Sequence, residues 1–155
     1  MPLFLIRHAQ AGRRSSWQGR DSARPLSSRG QVEAKRIAQL LGDRKVRRVV
    51  SSPAVRCAQT VTPLADELGL EVEIEKRLRE GGSVKGALEL VLKANDGTVF
   101  CAHGDLIPAV MQRLADAGMK VDAPQRCQKG SVWELELRHG HPVRATYHPP
   151  GGRTD

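Results

Sequence analysis

Four short strand-like runs, at residues 3–6, 46–50, 72–74 and 98–102, are separated by stretches whose apolar residues recur every three or four positions. This alternation constrains the chain strongly. Parallel strands need a long crossover, normally a helix, so strand and helix patterns in turn imply helices layered over a mostly parallel sheet. Ser27 or Ser28 caps a first helix carrying Val32, Ala34, Ile37, Ala38 and Leu41, and Gly42 ends it. Pro53 opens a second, with Val55, Ala58, Thr62, Ala65 and Leu68 in helical register, which Gly69 stops. Residues 83–94 predict a third helix, with Val84, Leu88, Val91 and Leu92 on its apolar side, and residues 105–117 a fourth. Residues 132–137 and 142–147 alternate as a closing hairpin, with Trp133, Leu135 and Leu137 set between Glu134 and Glu136. The expected fold class is therefore α/β, a three-layer αβα arrangement with a mostly parallel central sheet. One domain is expected over residues 1–148, with a flexible Gly/Pro-rich tail at 149–155.

A length of 155 residues suits a single domain. Hydrophobic residues make up 39% and charged residues 27%, so the chain is far from the composition of a disordered segment. The apolar run at 3–6 is too short for a signal-peptide core or a membrane span. Three cysteines, Cys57, Cys101 and Cys127, form no Cys-x-x-Cys pair. No disulfide framework, zinc site or membrane contact is expected, and the cytoplasm is the expected compartment. Cys101-x-His103 lacks a second ligand pair, and His139-Gly140-His141 reads as a hairpin turn.

The net charge of +8 is unevenly placed. Residues 1–60 hold 11 arginines and 2 lysines against Asp21, Glu33 and Asp43, an excess of ten, while the remainder holds 12 basic and 14 acidic side chains. Arginine presents a planar fork that matches phosphate oxygens. A nucleic-acid surface and a pocket for a small phosphate both fit that excess. Only five aromatic residues are present, Phe4, Trp17, Phe100, Trp133 and Tyr147, too few for a base-stacking platform, which argues against nucleic acid.

In parallel sheets ligands gather beyond the carboxyl ends of the strands. Three runs here end in reactive residues: Arg7-His8, Ser51-Ser52 and His103-Gly104. The stretch from residue 9 to 25 is long, polar and Arg-rich, as functional loops are. Gly81 and Gly86 have a phosphate-loop spacing, but Ala87-Leu88 stands where Lys-Ser/Thr is required, and neither a Gly-x-Ser-x-Gly elbow nor a dinucleotide fingerprint occurs. What remains is two strand-terminal histidines among arginines. A neutral imidazole can attack phosphorus and divide one difficult transfer into two easier ones. Arginines stabilise the phosphoryl oxygens, and a carboxyl must protonate the leaving oxygen.

Arg7-His8-Ala9, Ser51-Ser52-Pro53-x-x-Arg56-Cys57-x-Gln59-Thr60 and His103-Gly104 resemble, in order, three motifs of the histidine phosphatase (phosphoglycerate mutase-like) superfamily. Arg24-Pro25-Leu26-Ser27-x-x-Gly30 is similar to a further pattern of its small SixA-like phosphohistidine phosphatases. The resemblance implies that family's fold and a phosphatase that needs no metal or other cofactor. It implies His8 as the nucleophile, with Arg7, Arg56 and His103 completing the phosphate pocket. Arg24, or Arg20 in its place, would add a phosphate contact, as would Ser52 and Gly104. Glu80 falls where many members keep the proton donor, and Asp105 is a rival acid. Arg13, Arg14 and Arg20 read as a solvated rim that steers anions. Ala9 replaces the usual glycine, and the segment between Glu80 and Thr98 is too short for a capping insertion. An open pocket favours hydrolysis and admits a phosphorylated small molecule or a phosphohistidine protein.

The stretch 17–26 also resembles the phosphatase half of actinobacterial Nudix–phosphatase fusions, which implies nucleotide substrates and gives Trp17 a base to stack on. A phospho-binding module without turnover is the reading from another class, prompted by Ala9 and the unsettled acid.

Overall fold

The computed structural model describes residues 2–151. Its single sheet has six strands: β1 (Leu3–Arg7), β2 (Arg48–Ser51), β3 (Val72–Ile74), β4 (Thr98–Ala102), β5 (Val132–Arg138) and β6 (His141–His148). Across the sheet they run β3-β2-β4-β1-β5-β6. The first four are parallel, and β5 and β6 add antiparallel beyond β1. Four helices connect them: α1 (Ser28–Leu41), α2 (Val55–Leu68), α3 (Val84–Lys93) and α4 (Ile107–Asp116).

Strand alternation sorts the core into two layers. Phe4, Ile6, Val49, Val99 and Cys101 meet Ile37 and Leu41 of α1 and Val61 and Leu64 of α2. Leu3, Leu5, Val50, Phe100 and Ala102 face Ala87 and Val91 of α3 and Ile107, Val110 and Met111 of α4. The expected αβα order is present. Among the described residues no helix is long and apolar enough to cross a membrane.

Four local expectations are corrected. Val32 and Leu92 are exposed, at 49% and 44%, and Glu33 takes the inward position on α1. The second strand starts at Arg48 rather than at residue 46. Pro53 does not begin α2: Ser52 Oγ accepts the Ala54 N–H at 3.2 Å, which holds the chain extended until Val55. The hairpin strands reach Arg138 and His141, because His139 and Gly140 both take positive φ, the conformation of a tight hairpin turn. Of the tail expected at 149–155, residues 152–155 lie outside the described residues; Gly151 accepts a hydrogen bond from Arg36.

Register brings the reactive strand ends together. Arg7 lies opposite Ala102 and Ser51 opposite Cys101, so His8, Ser52 and His103 emerge side by side at one sheet edge. Gly30, in the first turn of α1, sets the loop that follows. A β-carbon there would stand 1.9 Å from the Gln10 carbonyl oxygen. That carbonyl is fixed, since it accepts from Ser27 N at 3.0 Å and Ser27 Oγ at 3.1 Å, while Gln10 N donates to Glu33 Oε1 at 3.0 Å. Gly30→Ala is expected to lower stability by about 2 kcal/mol or more, against about 0.5 kcal/mol or less for the exposed neighbour Arg29→Ala, measured by urea unfolding.

Candidate active site

A cleft of about 530 Å³ opens at the carboxyl edge of the sheet, lined by Arg7, His8, Arg24, Arg56, Glu80, His103, Gly104 and Asp105 among others. It is built from three separate parts of the chain: the end of β1 with its long loop, the start of α2 with the segment after β3, and the end of β4.

His8 is buried, and its Nδ1 stands 2.8 Å from the Ala9 carbonyl oxygen. A carbonyl only accepts, so Nδ1 carries the proton and Nε2 keeps its lone pair. Burial pushes the imidazole pKa from 6.5 down to about 3; the Ala9 hydrogen bond opposes this, and the charges of Arg56, His103 and Arg7 add to the fall. At neutral pH His8 is thus a neutral imidazole with an unprotonated nitrogen. The His103 ring is edge-on to it, 5.5 Å between centroids at 63°. Ser52 Oγ accepts the Ala54 N–H and lies 2.8 Å from His103 Nε2, which holds that ring in place.

Arg56 occupies the first turn of α2, where a cation is locally unfavourable, yet it is only 1% exposed. Its Nη1 donates to the Asp21 carbonyl at 2.9 Å, and its Nη2 lies 3.0 Å from Glu80 Oε2 and 3.2 Å from Asp21 Oδ2. Arg7 Nη1 donates to the Cys127 carbonyl at 2.7 Å. Among the described residues, the buried Nε atoms of Arg7 and Arg56 have no hydrogen-bond partner. Such orphans are costly unless a ligand oxygen completes them. Gly104 explains itself here: a β-carbon would lie 2.7 Å from the Arg7 guanidinium carbon.

The second motif has a task at nearly every position. Thr60 Oγ1 accepts the Ala9 N–H at 2.9 Å, Gln59 Oε1 accepts the Leu26 N–H at 2.9 Å, and Cys57 Sγ lies 3.6 Å from His103 Nε2. Glu80 and Asp105 both line the cleft but are used differently. Glu80 pairs with Arg56 and, at 3.4 Å, with Arg14. Asp105 Oδ2 accepts the Gly81 N–H at 2.7 Å and so fixes the turn that carries Glu80.

Not every expected residue arrives. Arg24 lines the cleft, nearly buried, and also staples the loop, donating to Asp21 Oδ1 at 3.0 Å and to the Gly12 carbonyl. Arg20 does not line it. Its carbonyl accepts both the Ala23 N–H and the Trp17 indole N–H, which pins that segment with the Arg20 side chain in solvent. Trp17 is occupied by the same bond and is absent from the cleft wall. Ser52 acts through His103 rather than lining the cleft. Arg13 and Arg14, expected as rim, do line it.

Sequence reasoning passed over Asp21 and Lys129. Asp21 joins Arg14, Arg24 and Arg56. Burial pushes its carboxyl pKa up, but the Arg24 hydrogen bond and the three guanidinium charges hold it below its usual value. Its signal was available, as the only acid in the first 32 residues. Lys129 carried none. Among the described residues no three His, Cys, Asp or Glu side chains cluster to hold a metal ion.

A sequence model of the histidine phosphatase superfamily (branch 1) matches residues 3–87. The chain belongs to that superfamily. It is 31% identical over 155 residues to an 8-oxo-(d)GTP phosphatase of Mycolicibacterium smegmatis, which covers 96% of this chain and 48% of the relative. It spans about half or less of the length of the curated relatives it matches. Among solved structures, the protein histidine phosphatase SixA complexed with tungstate superposes with a TM-score of 0.71 at 25% identity, over 96% of this chain and 94% of that one. A SixA from Nakamurella multipartitia gives the same score and identity over 97% and 96%.

The state of His8 has a consequence for stability. Between pH 6.5 and about 3 the unfolded chain binds a proton at this position that the native state refuses. The His8 contribution is therefore complete above pH 6.5 and declines as the pH falls toward 3. Thermal melts between pH 7 and 4 are expected to show a falling Tm, and His8→Asn to flatten that fall; an identical slope in the variant would contradict the assignment.

Proposed function

We propose that this protein is a metal-independent phosphatase that works through a phosphohistidine intermediate on His8, acting on small phosphoesters or phosphohistidine proteins. The observation that carries the reading is the pairing of a neutral His8, its Nε2 unprotonated, with two buried guanidinium Nε–H donors that lack an acceptor.

In the first step His8 Nε2 forms a bond to phosphorus as the bond from phosphorus to the leaving group breaks, P–O in an ester and P–N in phosphohistidine. The phosphoryl oxygens receive the N–H groups of Arg7, Arg56 and His103. Fixed donors of this kind stabilise the transferring group without reorganising. Glu80, released from its pairing with Arg56 and Arg14 and entering this step as the acid, gives its proton to the leaving oxygen or nitrogen. In the second step water attacks phosphorus, its proton goes to the Glu80 carboxylate, the N–P bond breaks, and neutral His8 returns. Asp105 is a positioning residue, acting through the Gly81 N–H.

Nucleotides are the second reading. The relative that supports it is named for 8-oxo-(d)GTP and aligns along 96% of this chain.

Two experiments test the proposal. Phosphate release would be followed in EDTA from an aryl phosphate, a phosphohistidine protein and nucleoside di- and triphosphates. Turnover is expected with EDTA present, falling by about a thousandfold or more in His8→Ala; activity that survives this substitution, or that EDTA abolishes, would overturn the reading. For Asp105, alanine is expected to lower kcat about tenfold with little change in KM. Asparagine, whose amide oxygen still accepts the Gly81 N–H, is expected to restore it.

A further inference from the structure

The cleft holds more positive charge than one phosphoryl group uses. Six cationic side chains line it, Arg7, Arg13, Arg14, Arg24, Arg56 and Lys129, against the carboxylates of Glu80 and Asp105. Four of the six have partners. Arg7 is anchored on the Cys127 carbonyl, Arg24 on Asp21, and Arg14 and Arg56 on both Asp21 and Glu80. The side chains of Lys129 and Arg13 make no hydrogen bond or ion pair among the described residues. The Lys129 ammonium stands in a field of like charge. Burial and then the guanidiniums of Arg7, Arg24, Arg14 and Arg56 depress its proton affinity. A solvent-exposed lysine in the field of four arginines, with no carboxylate paired to it, is placed to receive an anion.

Size agrees with charge. About 530 Å³ is in the range of pockets that enclose a whole small organic ligand, well beyond a lone phosphate. The wall holds no aromatic side chain other than the two imidazoles, so charge rather than ring stacking selects what lies beyond the phosphoryl site.

We propose that Lys129 and Arg13 form a second anion subsite, which takes a further phosphate of the substrate while Arg7, Arg56 and His103 hold the phosphoryl group facing His8. The substrate class is then a compound with two phosphates close together, such as a nucleoside diphosphate or a sugar bisphosphate, rather than a simple monoester. This rests on the phosphatase reading for its meaning as a substrate site, but the subsite itself is a matter of binding.

Its test needs no turnover. Methylenediphosphonate and methylphosphonate carry two and one phosphonate groups on bonds that the proposed chemistry does not cleave. Their affinities for the full chain would be measured by calorimetry at fixed ionic strength. The bisphosphonate is expected to bind at least tenfold more tightly. That ratio is expected to fall about threefold in Lys129→Gln, to approach one when Arg13→Gln is added, and to persist in Lys129→Arg. A wild-type ratio near one, or a ratio that Lys129→Gln leaves unchanged, would overturn the subsite. Because Lys129 and Arg13 are exposed, folding of the variants is checked by their Tm. A chain with this preference that releases no phosphate from any substrate would leave the subsite standing and count against the phosphatase reading alone.

Discussion

The buried guanidinium of Arg56 ties the site together. A cation that is 1% exposed carries a large desolvation penalty, which only close and well-directed partners offset. Those partners come from elsewhere in the sequence: Asp21 from the loop after β1, and Glu80 from the segment after β3. One side chain in the first turn of α2 thereby ties together two loops from distant parts of the chain. Gln59 and Thr60, one turn further along the same helix, hold the Leu26 and Ala9 amides. The position of α2 against the sheet consequently sets the position of His8, although no covalent neighbour of His8 belongs to that helix.

Opposing demands meet at this edge. Phosphate recognition calls for clustered guanidiniums, whereas folding calls for their separation or neutralisation. Asp21 reconciles the two by serving three arginines at once, leaving the Nε atoms of Arg7 and Arg56 unassigned. His8 contributes by being uncharged. A protonated imidazole here would add another cation and remove the nucleophilic lone pair, and burial prevents both.

The fold was largely legible because the apolar runs and helix-stop glycines are local signals. Ser27, Gly42, Gly69 and the closing hairpin all act on their immediate neighbours. The errors arose where a tertiary contact competed with a local preference. Val32 has the spacing of a core residue, but Glu33 turns inward because it accepts the Gln10 amide. Pro53 has the profile of a first helical residue, and the Ser52 hydroxyl delays the helix. In the site, residues fixed by strand ends were readable: Arg7, His8, His103 and Gly104. Residues delivered by loop folding were not. Arg24 carries a motif but Arg20 stood as its substitute on the sequence, and the Trp17 to Arg20 and Arg24 to Gly12 bonds separate them. Lys129 reaches the cleft because the Gly130 N–H bridges the carbonyls of Arg7 and His8, a contact more than 120 residues long that no local pattern announces.

The cleft draws its wall from residues 7–24, 56–80 and 103–129. No fragment of the chain holds more than a share of it, and the unfolded chain disperses its cations into solvent. A phosphate held there, as proposed, would have affinity for the native state alone, and its free concentration would become a variable of the folding equilibrium. Stability would then rise with the logarithm of anion concentration above the dissociation constant, by about 1.4 kcal/mol per decade. The melting temperature would in that sense be a property of the solution as well as of the chain: two samples that differ only in buffer anion would be thermodynamically different proteins.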